Sequence, residues 1–123
     1  MKKILVAEDD KYLADVFLTK LTKEGYNVIQ AFNGDDAVLS TKKYHPDLIL
    51  LDIVMPKKDG FDVLKELKED ETVSDIPVII MSNLGQDADV YMGKKLKAVE
   101  YLIKTNTSLT EVVKKIKQYT KND

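Results

Sequence analysis

Residues 48–52 read Leu48-Ile49-Leu50-Leu51-Asp52, and near the start Ile4-Leu5-Val6-Ala7 runs into Glu8-Asp9. Short unbroken apolar runs of this kind read as parallel strands buried on both faces. Laid side by side, these two runs crowd Glu8, Asp9 and Asp52 onto one edge of a sheet. Like charges that close do not all stay ionised cheaply without a cation. Mg²⁺, with Mn²⁺ as its substitute, prefers carboxylate oxygens and water and suits such a set.

Working outward, five apolar runs alternate with five amphipathic stretches. The runs are Lys3–Ala7, Asn27–Ala31, Leu48–Leu51, Pro77–Met81 and Glu100–Ile103. The first helical pattern carries Leu13, Val16, Phe17 and Leu21 and is stopped by Gly25. The second starts near Asn33-Gly34-Asp35 and ends before Pro46, and the third carries Val63, Leu64 and Leu67. The fourth, around Asp87–Lys97, is the weakest, with Val90, Tyr91 and Leu96 as its apolar positions. The fifth carries Leu109, Val112, Val113 and Ile116, and Ser108 with Glu111 forms a capping-box signature ahead of it. Strict β-α alternation predicts a flavodoxin-like, doubly wound (βα)5 fold with strand order 2-1-3-4-5 and helices on both faces. In such a sheet the site lies beyond the C-terminal strand ends, at the switch between strands 1 and 3, where Glu8-Asp9 and Asp52 fall.

Composition narrows the chemistry. The 123 residues, 44% hydrophobic and 33% charged, are enough for one domain with a real core. The absence of cysteine removes disulfides, thiol catalysis and thiolate metal sites. No apolar run reaches the length of a membrane span, and the start lacks the long apolar stretch of a signal peptide, so a cytoplasmic protein without membrane contact is expected. The net charge of −2 is uneven, with an excess of lysine after residue 90. The plain reading of that excess is a solvated helix face. Aromatics do not interleave with the lysines, so no direct nucleic-acid contact is expected.

Two more polar residues follow apolar runs: Ser82 after Val78-Ile79-Ile80-Met81, and Lys104 after Tyr101-Leu102-Ile103. On the same edge they complete a carboxylate nucleophile, a metal pocket, a hydroxyl and an ammonium, a set suited to moving a phosphoryl group. Plain alternatives exist. Asp10 is best read as the cap of the first helix, Ser82 has a reading as a turn residue, Tyr101 as ordinary packing, and His45 as a loop residue rather than a phosphodonor.

The chain resembles the receiver domain of two-component response regulators, single-domain chemotaxis type. The resemblance rests on Ile4-Leu5-Val6-Ala7-Glu8-Asp9-Asp10, on Asp47 through Pro56, on Asp59-Gly60, on Ser82, and on Tyr101-Leu102-Ile103-Lys104. It implies that Asp52 is the phosphoacceptor, taking a phosphoryl group from a phosphohistidine. It further implies that Asp9 and Asp52 ligate Mg²⁺ directly, with Glu8 acting through water and the Val54 backbone carbonyl completing the protein ligands. Ser82 would bind a phosphoryl oxygen, Lys104 would pair with Asp52 and then the phosphate, and Tyr101 would be the switch aromatic, turning inward once Ser82 moves. The implied partners are a sensor histidine kinase or histidine phosphotransfer protein and an effector protein, acidic in character given the lysines. The domain would act as a monomer or a weak phosphorylation-dependent dimer.

Residues 1–123 read as a single receiver domain with no output domain, a signalling switch that promotes its own phosphorylation and dephosphorylation rather than an enzyme acting on another substrate. The alternatives are a phosphorylation-independent adaptor of the same fold and an intermediate phosphorelay carrier. A phosphatase reading fails because Val54 cannot transfer a proton, and a flavin carrier would need a phosphate loop where Glu8-Asp9-Asp10 stands. Three departures from the family pattern carry expectations. Thr105 stands where proline usually follows the lysine, which predicts a trans bond because a cis bond without proline costs about 3 kcal/mol. Lys97-Ala98 replaces the usual Gly-Ala pair, which predicts a looser turn. Val54 and Leu84 are apolar where the family tunes the attacking water, which predicts slow loss of phosphate.

Overall fold

In the computed structural model, which describes residues 1–121, strands and helices alternate along the chain. The strands are β1 (Lys3–Ala7), β2 (Asn27–Ala31), β3 (Leu48–Leu51), β4 (Val78–Ser82) and β5 (Glu100–Ile103). They pair in parallel in the order β2-β1-β3-β4-β5, the predicted flavodoxin-like order. The helices are α1 (Lys11–Lys23), α2 (Gly34–Tyr44), α3 (Gly60–Glu69), α4 (Asp87–Lys95) and α5 (Leu109–Tyr119), with a 3-10 turn at Lys104–Asn106. Among the described residues, no helix is long and apolar enough to cross a membrane.

The central strands are apolar throughout because the sheet is covered on both sides. Alternate residues of a strand point to opposite faces. Leu5, Ala7, Ile49, Leu51 and Ile80 pack with Ala37 and Val38 of α2 and Val63, Leu64 and Leu67 of α3. Their neighbours Ile4, Val6, Leu48, Leu50, Ile79 and Met81 pack on the other face with Phe17 and Leu21 of α1 and Val112, Val113 and Ile116 of α5. The result is two cores separated by the sheet. Register places Ala7 beside Leu51, so Glu8 and Asp52 leave adjacent strands at the same level.

Local signals set the helix ends. Asp10 caps α1 by accepting from the Leu13 amide, and Ser108 and Glu111 form the expected capping box on α5. Asn33 and Asp59 cap α2 and α3 in the same way. His45 ends α2 in the left-handed conformation, a structural role as expected. β4 is displaced by one residue from the expected run. The Pro77 carbonyl still accepts from the Ile49 amide, while Ser82 pairs with Ile103 as the last strand residue.

α4 departs most from the sequence expectation. It stops at Lys95 rather than Lys97, because Lys97 takes the left-handed conformation with φ of 70°. Tyr91, expected to pack, is 64% exposed, and the buried residue of the helix is Gly93. The Lys97-Ala98 turn is not open: the Lys97 amide donates to the Lys94 carbonyl at 2.9 Å and the Ala98 amide to the Gly93 carbonyl at 3.0 Å. No peptide bond among the described residues is cis, so Lys104–Thr105 is trans as expected.

Lys97→Gly should relieve the left-handed strain but widen the unfolded ensemble. The expected net gain is about 0.5–1 kcal/mol, read as a higher midpoint in urea. Gly60 behaves oppositely. A Cβ there would lie 2.4 Å from the Asp52 carbonyl oxygen and 2.7 Å from Ile53 Cα, both backbone atoms. Gly60→Ala should therefore cost about 1–3 kcal/mol in the same measurement.

Candidate functional site

Three strand ends and the turn after β5 deliver the site. Glu8, Asp9, Asp10, Asp52, Val54, Ser82, Asn83, Leu84 and Lys104 line one cavity of about 330 Å³. The sequence-predicted residues thus converge, with Tyr101 just outside. Carboxylate oxygens of Glu8, Asp9 and Asp52 lie within 4.8 Å of one another, a spacing one divalent ion can bridge.

Lys104 organises the buried part. Its Nζ lies 2.7 Å from Asp52 Oδ2 and 2.6 Å from Glu8 Oε1. The pairing with Asp52 was expected from sequence. The pairing with Glu8 was not, and its only sequence signal is that two acids and one lysine share the edge. Glu8 is 3% exposed and Asp52 6%, whereas Asp9 is exposed. Glu8 is doubly fixed, since its Oε2 also accepts from the Asp10 amide at 3.1 Å. Burial pushes the Glu8 carboxyl above its usual range, with help from the Asp52 charge, while Lys104 and the Asp10 amide pull it back. Burial alone would lower the Lys104 ammonium. Hydrogen bonds and charges from Asp52 and Glu8 more than offset that and raise it, so Lys104 is a permanent cation.

The two oxygens of Asp52 differ. Oδ2 is held by Lys104, while Oδ1 has only a long hydrogen bond, 3.4 Å, from the Val54 amide. The Val54 side chain turns outward and is 58% exposed. Ser82 is fully buried at the end of β4, and its Oγ accepts from the Leu84 amide at 3.3 Å. That contact leaves the hydroxyl proton available as a donor.

Tyr101 joins this loop to α4. Its hydroxyl donates to the Leu84 carbonyl, and its ring packs so closely on Gly93 that a Cβ there would lie 2.7 Å from Cδ2. Burial, with the charges of Asp89 and Asp52, pushes the phenol up to about 12, so it stays a donor at physiological pH. The aromatic therefore already leans on the loop, before any change at Asp52. Sequence reasoning missed Gly93, although an isolated glycine inside a helical pattern is a recognised sign of close packing.

Comparison with known proteins follows the same lines. The chain matches the response regulator receiver domain over residues 4–117. A probable transcriptional regulator ycf27 of Pyropia yezoensis is 40% identical over 103 residues, which cover 84% of this chain and 41% of that protein. The DNA-binding dual master transcriptional regulator RpaA of Synechocystis sp. is 39% identical over 104 residues, 85% of this chain and 43% of that protein. The chain thus spans 41% to 43% of the length of these curated relatives. A relative named for DNA binding stands against the expectation of no nucleic-acid contact, though the matched part is the receiver portion. The receiver domain of the Francisella response regulator 1452 superposes with a TM-score of 0.89 at 32% identity, over 97% of this chain and 96% of that one. The chain belongs to the response regulator receiver domain family.

Proposed function

We propose that this domain accepts a phosphoryl group on Asp52 and thereby switches the face formed by α4, β5 and α5 for partner binding. The observation that best supports the reading is the Lys104 ammonium, held within 2.7 Å of Asp52 in the same cavity as Asp9 and Ser82. An adaptor that never meets phosphate has no need of a buried nucleophile beside a lysine and a free hydroxyl.

Asp52 Oδ1, the loosely held oxygen, is the natural nucleophile. It attacks phosphorus in a phosphohistidine of a sensor histidine kinase or phosphotransfer protein. A P–O bond forms as the P–N bond breaks, and its electron pair returns to the imidazole, which takes a proton from solvent. Lys104 and the Ser82 hydroxyl face the charge spread over the phosphoryl oxygens. Asp9, the solvent-facing carboxylate, would hold Mg²⁺ with Asp52 and the Val54 carbonyl, and Glu8 would act through water. Bound there, the ion would supply positive charge against the phosphoryl oxygens. The protein promotes its own phosphorylation and the later hydrolysis, and acts on no further substrate.

The switch follows from the loop. Motion of Ser82 toward a phosphoryl oxygen pulls on Leu84, whose carbonyl carries Tyr101, whose ring rests on Gly93 of α4. Because the Tyr101 hydroxyl already donates to the Leu84 carbonyl, phosphorylation would stabilise a contact the chain already makes. Output would pass through association on the lysine-bearing face, with an acidic effector as the fitting partner. A second reading is favoured by the relatives' names: the same face would pair receivers that belong to longer, DNA-binding regulators. Passing the phosphoryl group onward to another histidine remains a further use of the same site.

Incubation with Mg²⁺ and acetyl phosphate should add one phosphoryl mass to the parent and none to Asp52→Asn. Lack of labelling, where another receiver is labelled in parallel, would leave the adaptor reading in its place. Hydrolysis should be slow, because Val54 and Leu84 flank the cavity and neither can orient a water. The half-life of the phosphorylated protein, followed by intact mass after donor removal, should exceed that of receivers with polar residues at both positions. A shorter half-life would count against this account of Val54 and Leu84.

A further inference from the structure

The sheet edge opposite the acidic site carries a second concentration of charge. A cavity of about 460 Å³ opens between the C-terminal ends of α3 and α4 and the segment leading into β4. Lys65, Lys68, Lys95 and Lys97 line it, against two acids, Glu69 and Asp75. Among the described residues, Lys65, Lys95 and Lys97 form no ion pair. The Lys68 ammonium is fixed at the wall by the carbonyls of Ser74 at 3.0 Å and Ile76 at 3.4 Å. Burial pushes that ammonium down, Asp75 pulls it up, and the Lys97 charge opposes it. The cavity therefore carries a net positive charge, its lysines outnumbering the two acids.

A plain explanation is that lysines in the last turns of α3 and α4 neutralise the helix dipoles. It accounts for Lys68 and Lys95. It does not account for Lys65 in the middle of α3, nor for Lys97. Lys97 holds φ of 70°, at a position after a helix where glycine is the ordinary choice. His45 and Lys57 share the left-handed conformation, and Lys97 is the one of the three that lines this cavity.

We propose that this cavity binds a small oligophosphate anion, either free or as the phosphate tail of a nucleotide. The volume lies in the range of small-molecule sites, about 300–1,000 Å³. Three exposed ammonium groups, with the fixed Lys68 beside them, suit a compact polyanion better than a single carboxylate. The cavity sits at the N-terminal ends of β4 and β5, whereas Asp52, Ser82 and Lys104 sit at the other edge. Its occupancy is thus separable from the chemistry at Asp52.

The test is titration of the parent, Lys97→Gly, Lys95→Gln/Lys97→Gln and Asp52→Asn with tripolyphosphate, ATP and sulfate, without Mg²⁺ and at low salt. Calorimetry and backbone-amide NMR shifts are the readouts. One saturable site is expected, with shifts gathered at Lys65–Lys68, Ser74 and Lys95–Lys97. Lys97→Gly, which keeps the fold, should bind about threefold or more weakly, the change expected for losing one exposed charge contact. The double variant should lose more, and Asp52→Asn should bind as the parent does. Equal binding of tripolyphosphate and ATP would place recognition on the phosphates alone, and tighter ATP binding would add the nucleoside. Unsaturable binding, sulfate-like shifts spread over all lysines, or undiminished binding by Lys97→Gly would overturn the proposal.

Discussion

Everything at the functional end of this molecule depends on one ammonium. Lys104 stands between Glu8 and Asp52 and allows two buried carboxylates to coexist. Without it, the register that sets Ala7 beside Leu51 would force two acids together in a site largely closed to water. The lysine also separates their roles. Glu8 is tied at both oxygens, Asp52 closely at one and loosely at the other, and Asp9 stays open to solvent. Three acids of similar chemistry thus come to differ in burial and in hydrogen bonding through their surroundings alone.

Much of this was legible in the sequence because the signals were local and mutually consistent. Five apolar runs marked the strands, their alternation with amphipathic stretches marked the strand order, and the acids after the first and third runs marked the edge where the site lies. Asp10, Ser108 and Glu111 announced their caps by residue type. What was not legible depended on contacts between distant segments. Nothing in the spacing of Glu8 and Lys104 shows that they touch. α4 differs from the pattern at two positions, Tyr91, which is left outside, and Gly93, which is buried so that Tyr101 can approach, while Leu96 packs on the core as expected. Its early end was hidden for a related reason, since nothing about a lysine advertises a left-handed backbone.

Weak burial of α4 also fits its place in the chain of contacts. A helix that contributes one glycine to the core is cheap to shift. α3, by contrast, buries Val63, Leu64 and Leu67 and holds the loop after Asp52 through Gly60. The site therefore lies between one deeply packed helix and one lightly packed helix, and Tyr101 connects the cavity to the latter.

The position of β1 inside the sheet, rather than at its edge, carries a consequence for how distant parts of the chain are joined. The first strand of the chain is hydrogen-bonded on both sides, to β2 and β3, before β4 and β5 extend the sheet. Pairing of β1 with β3 already brings Glu8 and Asp52 to one edge. The counterion comes from the far side of β5, across a separation of 52 residues from Asp52. The two acids thus share a counterion supplied from the end of the last strand, and a contact closed over so long a stretch of chain carries a loop-entropy cost that the packed sheet must offset. The lysine at the centre of the site is therefore also a clasp that ties the end of β5 to the ends of β1 and β3.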